Sequence, residues 1–175
     1  EVLQDPKVMN HFHLPLQSEA DEILAQMKRK YTASEYAKVI EKIAQIFPRC
    51  AFGADVIVGF PGETEEMFQR TRQLMADLPL THFHVFPFSK RQGTIAARLP
   101  NAIHGQIKKE RVAILMELGE RKLADFSRFQ VGTRNAVLFE KRNKQGLFEG
   151  YTSNYLRVQV ASEQDLGNMI SKMGA

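Results

Sequence analysis

The sequence predicts an α/β fold with a parallel sheet, followed by a small all-β domain. Between residues 11 and 130, short apolar segments alternate with longer segments of helical periodicity. This alternation is typical of parallel strands joined by right-handed helical crossovers, and about three such units make half of a barrel or a small open sheet. After Gln130 the pattern changes to short strands separated by turn residues, so we expect one domain over 1–130 and a second over 131–175.

Each element of the first domain has its own signal. Three apolar segments predict strands, at 11–16, 52–60 and 81–86, and the second is apolar enough to be covered on both faces. Helical periodicity fills the intervals, with a capping box at Thr32–Glu35 and acidic residues at the start of the third helix. We therefore expect helices near 23–27, 33–47, 65–78 and 103–129.

The second domain combines short strands with a basic and aromatic composition. Strands are predicted at 134–140, 146–151 and 155–160, with a weaker element near 169–173, and the 45 residues hold six Lys/Arg against four Asp/Glu. This mixture suits phosphate contact and base stacking, and it fits core aromatics with a solvated rim equally well. The candidate RNA contacts are Arg134, Lys141, Arg142, Lys144, Tyr155 and Arg157.

Composition excludes several classes of protein. Of the 175 residues 43% are hydrophobic and 25% are charged, which excludes a disordered or fibrous chain, and the net charge of +4 is ordinary. No apolar run approaches the roughly 18 residues of a membrane span, and no signal-peptide core is present, so we expect a cytoplasmic protein without membrane contact. Cys50 is the only cysteine, so this chain alone cannot build a disulfide or a Cys-rich metal centre.

Three loops at predicted strand ends are the candidate active site. In parallel α/β barrels the active site lies on the loops after the carboxyl ends of the strands, and here those loops are 17–19, 59–63 and 87–91. Asp55 interrupts an apolar strand, so its carboxylate needs either a structural partner or a ligand. The basic segment 28–30 either complements a helix terminus or binds a carboxylate or phosphate.

Two His-x-His pairs have the spacing of a metal-binding motif. His11 and His13 share one strand face, as do His82 and His84, which is the spacing that barrel metallohydrolases use. No acidic bridging ligand is evident near either pair in the sequence, so we predict no metal site.

Four collinear segments resemble the radical S-adenosylmethionine tRNA methylthiotransferases, in particular the branch that acts on threonylcarbamoyladenosine. They are HFHLPLQS at 11–18, MKRKYT at 27–32, DVIVGFPGET at 55–64 and HVFPFSKRQGT at 84–94. In the tail, VLFEK at 137–141 and GYTSNYLRVQV at 150–160 resemble the tRNA-binding TRAM domain of the same enzymes. The resemblance implies the second half of a radical SAM partial (β/α) TIM-like barrel followed by a TRAM-type domain.

The resemblance also implies an activity and its cofactors. These enzymes add a methylthio group to C2 of a modified adenosine next to the anticodon, using S-adenosylmethionine and two 4Fe-4S clusters. The cluster cysteines are not in this chain, so we expect it to be an inactive fragment without catalytic residues of its own, whose partners are tRNA and the upstream part of the same polypeptide. Two other classes stay open from the residues alone: a metal-dependent barrel hydrolase and a non-enzymatic RNA-binding module.

Site residues follow from the motifs. The resemblance implies cofactor binding by Gln17, Ser18, Arg29, Asp55, Gly59, Pro61, Gly62 and Glu63, with Arg29 suited to the carboxylate of S-adenosylmethionine. It implies RNA contacts at the last loop by Phe86, Ser89, Lys90, Arg91 and Thr94. One departure stands out, because Glu19 replaces the glycine that usually follows Gln-Ser in the family.

Overall fold

Seven strands form two separate sheets in the computed structural model, which describes residue 5 and residues 7–174. The first sheet is parallel, in the order β1-β2-β3, and comprises β1 (His11–His13), β2 (Ala51–Val58) and β3 (His82–Pro87). The second is antiparallel, in the order β6-β5-β4-β7, and comprises β4 (Arg134–Arg142), β5 (Phe148–Thr152), β6 (Arg157–Val160) and β7 (Ile170–Gly174). The predicted mixed α/β class is confirmed, and the weak element near 169–173 is a fourth antiparallel strand.

In the described residues four helices connect the strands of the first sheet and follow them. They are α1 (Asp21–Gln26), α2 (Ala33–Ile46), α3 (Glu65–Asp77) and α4 (Gly105–Gln130), and a 3-10 turn that the sequence did not predict lies at Ala96–Arg98. The predicted capping box begins α2, because the Glu35 N–H donates to Thr32 Oγ1 and the Thr32 N–H donates to Glu35 Oε2. Among the described residues no helix is both long enough and apolar enough to cross a membrane.

The parallel sheet has one face packed and one face open. Phe52, Ala54, Val56 and Val58 of β2 are buried among apolar side chains of α2, α3 and α4. The opposite face of the same strand carries Gly53, Asp55 and Ile57, and the last two are only half-buried. The prediction that this strand is covered on both faces is therefore wrong, because only one face carries an unbroken series of buried apolar side chains.

Each of the three strands contributes one line of side chains, many of them polar, to the open face of the sheet. Strand register aligns His13 with Gly53 and Asp55 with His84, and Gln17 extends the first strand by a bridge to Val56. Because side chains alternate along a strand, each line follows its own strand: histidines begin the lines of β1 and β3, and the three lines end at Gln17, Ile57 and Phe86. These three residues lie at the carboxyl edge of the sheet, where the active site is predicted.

The antiparallel sheet has its own small core and touches the parallel sheet. Val137, Phe139, Phe148 and Leu166 form this core, with Val158 and Val160 packed against it. The turn between β5 and β6 reaches the first sheet, where the buried Asn154 donates from Nδ2 to the Arg49 carbonyl at 3.1 Å. Next to it the Tyr155 ring stacks on His11 with a centroid separation of 4.6 Å.

Candidate active site at the strand ends

Two neighbouring cavities open at the carboxyl edge of the parallel sheet, where the α/β pattern predicts the active site. The larger, the strand-end cavity, has a volume of about 620 Å³ and is lined by Gln17, Asp55, Ile57, Phe86, Pro87, Phe88, Ser89, Arg91, Thr94 and Ala96. The smaller, the Arg29 cavity, has a volume of about 360 Å³ and is lined by Gln17, Gln26, Met27, Lys28, Arg29, Ile57, Phe60, Ile95 and Ala96. Gln17, Ile57 and Ala96 line both.

Gln17 stands between the two cavities in a strained backbone conformation. Its φ of 69° is in the left-handed region, which costs a non-glycine residue roughly 1–3 kcal/mol. Two backbone hydrogen bonds to β2 hold it there, from the Gln17 N–H to the Asp55 carbonyl at 2.8 Å and from the Ile57 N–H to the Gln17 carbonyl at 2.9 Å. The main chain is thus fixed by the sheet while the side chain points to the shared wall of the cavities.

The end of α1 positions Arg29. The Lys28 N–H donates to the Ala25 carbonyl and the Arg29 N–H donates to the Leu24 carbonyl, both at 2.9 Å, while Lys28 has a φ of 57°. This is a Schellman ending, which stops the helix after six residues. Arg29 is exposed at the smaller cavity and makes no ion pair within the described part of the chain, so its guanidinium can bind an anion there.

Ser18 and Glu19 lie outside both cavities. The buried Ser18 accepts a hydrogen bond at Oγ from the Ala20 N–H and so shapes the turn into α1. Glu19 turns towards α3, where its carboxylate lies 3.0 Å from Arg70 Nε and its N–H donates to Thr71 Oγ1. Burial raises the pKa of Glu19, and Arg70 opposes that shift. Glu19 does not have a left-handed φ, so this position tolerates a side chain where the family motif carries glycine.

The loop after β2 is fixed to α4, and Phe60 is its only residue that lines one of the two cavities. Glu63 is 3% exposed, accepts a hydrogen bond from the Gly59 N–H at 2.6 Å and forms an ion pair with Arg111, which is 5% exposed. Burial raises the pKa of Glu63, while the Gly59 N–H and Arg111 act in the opposite direction. Gly59 has a φ of 72°, and a Cβ there would collide with the Lys108 side chain. Accordingly Gly59, Pro61, Gly62 and Glu63 line neither cavity.

Asp55 joins the two predicted His-x-His pairs. Its Oδ1 lies 2.8 Å from His13 Nε2 and 3.2 Å from His84 Nδ1. Our expectation that the histidine pairs lack an acidic partner is therefore wrong. Asp55 is 42 residues from His13 and 29 from His84, so only the register of the sheet brings the three together. His11 and His82 have no carboxylate between them, and burial lowers the pKa of both, that of His82 to about 4.

The loop after β3 forms one side of the strand-end cavity. Phe86, Ser89, Arg91 and Thr94 line that cavity, whereas Lys90 does not. Thr94 Oγ1 donates to the Arg91 carbonyl at 2.8 Å, and Lys108 Nζ donates to the Phe88 carbonyl at 2.9 Å, so α4 supports this loop as well. The exposed Ile95, which the sequence patterns did not single out, lines the Arg29 cavity.

The predicted RNA contacts of the antiparallel sheet divide into side chains that contact other residues of the chain and side chains that form no ion pair. Arg142 lies over the Phe148 ring and donates to the Gly146 and Ser162 carbonyls. Arg157 lies 2.7 Å from the Glu149 carboxylate, and its hydrogen bond, together with those from Asn143 and Gln159, lowers the pKa of Glu149 to about 2. Tyr155 is stacked between Tyr151 and His11. The remaining three are exposed and form no ion pair among the described residues: Arg134, Lys141 and Lys144.

Cys50 does not fit an iron–sulfur cluster. Clusters are held by thiolates, yet this side chain is 5% exposed, donates from Sγ to the Ala51 carbonyl and has a pKa that burial raises to about 12. It lies at the start of β2, at the opposite end of the sheet from the two cavities. As this is the only cysteine of the chain, no cluster chemistry is assigned to these residues.

Comparison with known proteins finds one family model and several curated relatives that match this chain. Residues 1–75 match the family model of the radical SAM superfamily. The chain is 37% identical to the threonylcarbamoyladenosine tRNA methylthiotransferase MtaB of Bacillus subtilis, over 99% of this chain and 40% of that protein. It is 42% identical to the tRNA-2-methylthio-N(6)-dimethylallyladenosine synthase of Coxiella burnetii, over 96% of this chain and 39% of that protein. A relative from Aquifex aeolicus, also named MtaB, is 36% identical over 97% of the chain and 40% of its own length.

The chain thus spans about two fifths of the length of the curated relatives it matches. The matched span includes both sheets and the segments that contain Gln17, Arg29 and Asp55. Over nearly its whole length the chain is thus similar to radical SAM tRNA methylthiotransferases.

Proposed function

We propose that this chain is part of a cytoplasmic tRNA methylthiotransferase that adds a methylthio group to C2 of an N6-modified adenosine next to the anticodon. In this proposal residues 1–130 are the second half of a radical SAM barrel, and residues 131–175 are a TRAM-type RNA-binding domain. The observation that carries it is the exposed Arg29, which lines the Arg29 cavity together with Gln17, in a chain whose first 75 residues match the radical SAM superfamily.

S-adenosylmethionine is the ligand that these cavities suit. It would supply the radical precursor and the methyl group, and it presents a carboxylate, an ammonium group and an adenosine. Arg29 offers a planar cation for the carboxylate, while Gln17 and Asp55 offer polar groups on the wall of the larger cavity. Ile57 and Ala96 provide apolar surface between the two. The thiolates for both clusters would come from an upstream part of the same polypeptide, since Cys50 does not fit that role.

The tRNA would reach the same edge from the side of the last loop. Phe86 is exposed at the strand-end cavity and offers a face for base stacking, and Arg91 lies beside it for phosphate contact. Lys141, Lys144 and Arg134 add exposed cations on the antiparallel sheet. The matching relatives are named for two different N6-modified adenosines, so the N6 group is best determined by analysis of the modified nucleoside in the tRNA.

Two other classes were open from the sequence. A barrel hydrolase would use the histidine pairs, and an RNA-binding module would use only the second sheet. Similarity to methylthiotransferases runs through both sheets, and this favours the proposed activity over either.

The test is a titration of the chain with S-adenosylmethionine followed by calorimetry or fluorescence. Arg29→Ala removes the charge-assisted hydrogen bonds and should weaken binding about tenfold or more, whereas Lys30→Ala, a neighbouring exposed cation that lines neither cavity, should leave it unchanged. Equal affinities of the two variants for S-adenosylmethionine would refute the proposal that Arg29 binds its carboxylate. Nucleoside analysis of tRNA from cells that lack the parent gene should show loss of one 2-methylthio adenosine derivative.

A further inference from the structure

We propose that His13, Asp55 and His84 form a site for one divalent transition-metal ion of the zinc type. The inference goes beyond the proposed function, which assigns no ion to these side chains. The ligand atoms of all three lie within 4.8 Å of one another. The set comprises two imidazole nitrogens and one carboxylate oxygen, which is the ligand chemistry that zinc and its neighbours in the periodic table prefer.

The sheet itself builds this arrangement. His13 pairs in register with Gly53, which has no side chain, so the imidazole lies across that residue and a Cβ there would collide with it. The ring then presents Nε2 to Asp55 on the same strand face, two residues further along β2. His84 pairs directly with Asp55 and presents Nδ1 from the other side. Three rigid strands, rather than loops, hold the three ligands.

Two of the three ligand separations are close to those of a metal site, and the third is within 4.8 Å. Zinc bonds of about 2.0–2.2 Å in tetrahedral geometry place neighbouring ligand atoms roughly 3.3 Å apart. Asp55 Oδ1 lies 2.8 Å from His13 Nε2 and 3.2 Å from His84 Nδ1, and the imidazole centroids are 5.1 Å apart. Small side-chain rotations therefore suffice to place an ion between the three atoms. Three protein ligands also leave a position for water or substrate, as in catalytic zinc sites.

The surroundings distinguish this site from the other histidine pair. Asp55 lines the strand-end cavity, and His84 is 58% exposed in its side chain, so an ion can enter from solvent. His11 and His82 each precede a proposed ligand by two residues on their strands, contact the Tyr155 ring and have no carboxylate between them among the described residues. The inference thus concerns one ion per chain, held by the two histidines that Asp55 joins.

The experiment is a titration of the chain, first stripped with a chelator, with zinc chloride, and in parallel with cobalt chloride for its visible absorption. We expect saturation at one equivalent, and a cobalt spectrum typical of a mixed nitrogen and oxygen site. Asp55→Asn and His84→Asn should each weaken zinc binding about 100-fold. Loss of a residue that only supports a ligand by a hydrogen bond costs about 10–100-fold, and loss of a ligand itself should cost at least as much. His84 is the stronger test because its exposed side chain can be replaced without disturbing the core, which circular dichroism would check.

The matched control is His104→Asn, which also removes one imidazole. His104 lies at the start of α4, where its Nδ1 accepts from the Gln106 N–H, and asparagine can take over that cap. This variant should bind zinc as the unmodified chain does. Absence of saturable zinc binding, or a His84→Asn variant that binds like the control, would overturn the proposal and leave a hydrogen-bonded triad without a metal. Neither readout involves S-adenosylmethionine, so the result is independent of the proposed function.

Discussion

The buried ion pair between Glu63 and Arg111 should account for a large part of the stability of the parallel-sheet region. Replacing Arg111 by methionine keeps most of the volume but leaves the Glu63 carboxylate, 3% exposed, with the Gly59 N–H as its remaining hydrogen-bond partner. Unit charges about 3 Å apart attract by roughly 5–6 kcal/mol at an effective dielectric constant of about 20. The loss of this attraction is partly offset because folding of the variant no longer requires the guanidinium to be desolvated. We therefore expect the free energy of unfolding to fall by about 3–4 kcal/mol.

The same variant should show a distinct pH dependence. Burial already raises the pKa of Glu63, and removing Arg111 raises it further because the cation that favours the ionised carboxylate is lost. A carboxyl whose pKa is higher in the folded state than in the unfolded state stabilises the fold at low pH, and this contribution is lost as the pH rises through the folded-state pKa. Arg111→Met should therefore be less destabilised near pH 4.5 than at pH 7.

Urea denaturation at several pH values measures both effects. Arg128→Met is the matched control, because Arg128 pairs with Asp125 on the exposed surface of the same helix, where an ion pair contributes little. Glu63→Gln should cost less than Arg111→Met, since Glu65 still lies 3.0 Å from the guanidinium and the Gln amide can accept from Gly59. If Arg111→Met cost no more than Arg128→Met, the idea that this pair fixes the loop after β2 to α4 would be refuted.

Two further predictions concern tRNA affinity and pH. Replacing Lys141 and Lys144 with alanine should weaken tRNA binding and reduce its salt dependence by about one slope unit for each cation–phosphate interaction removed. The same substitutions at Lys38 and Lys42, which are exposed on α2, should weaken binding less. Equal effects in a filter-binding titration would exclude the second sheet as the RNA surface. His82 has a folded-state pKa of about 4 against an ordinary 6.5, so stability should fall as the pH drops from about 6.5 to 4, and an NMR titration of its ring near pH 6.5 would contradict the burial that lowers it.

Local patterns in the sequence predicted the elements well. The alternation of apolar segments with helical periodicity located every strand and helix of the parallel sheet to within a few residues, and the capping box placed the start of α2. The first strand ends at His13 rather than at 16, and the chain continues through Pro15, whose missing N–H cannot donate to a neighbouring strand. The errors concern faces rather than elements, as the open face of β2 shows.

The site was predictable only in part, because it depends on tertiary register. Motif position located Gln17, Arg29 and Asp55 at the cavities, but the partners of Asp55 come from two other strands and no local pattern reveals them. Arg111 was missed although a signal exists, since it shares the helical face of the buried Leu115 and Leu118, at spacings of four and seven residues. A cation on an apolar helix face implies a buried acidic partner.

The three strand-end loops have different roles, and this division explains how the edge of the sheet can be both rigid and open to ligands. The loop after β2 is fixed by Glu63 and Arg111 and reaches the Arg29 cavity only through Phe60. The carboxylate that lines a cavity is that of Asp55, which lies inside the strand. The loops after β1 and β3 line the cavities with Gln17 and Arg91. Both are supported from outside, the first by pairing with β2 and the second by Lys108 of α4. Because α4 anchors the loop after β2 and supports the loop after β3, a substitution on its buried face should disturb ligand binding at a distance, without touching either cavity.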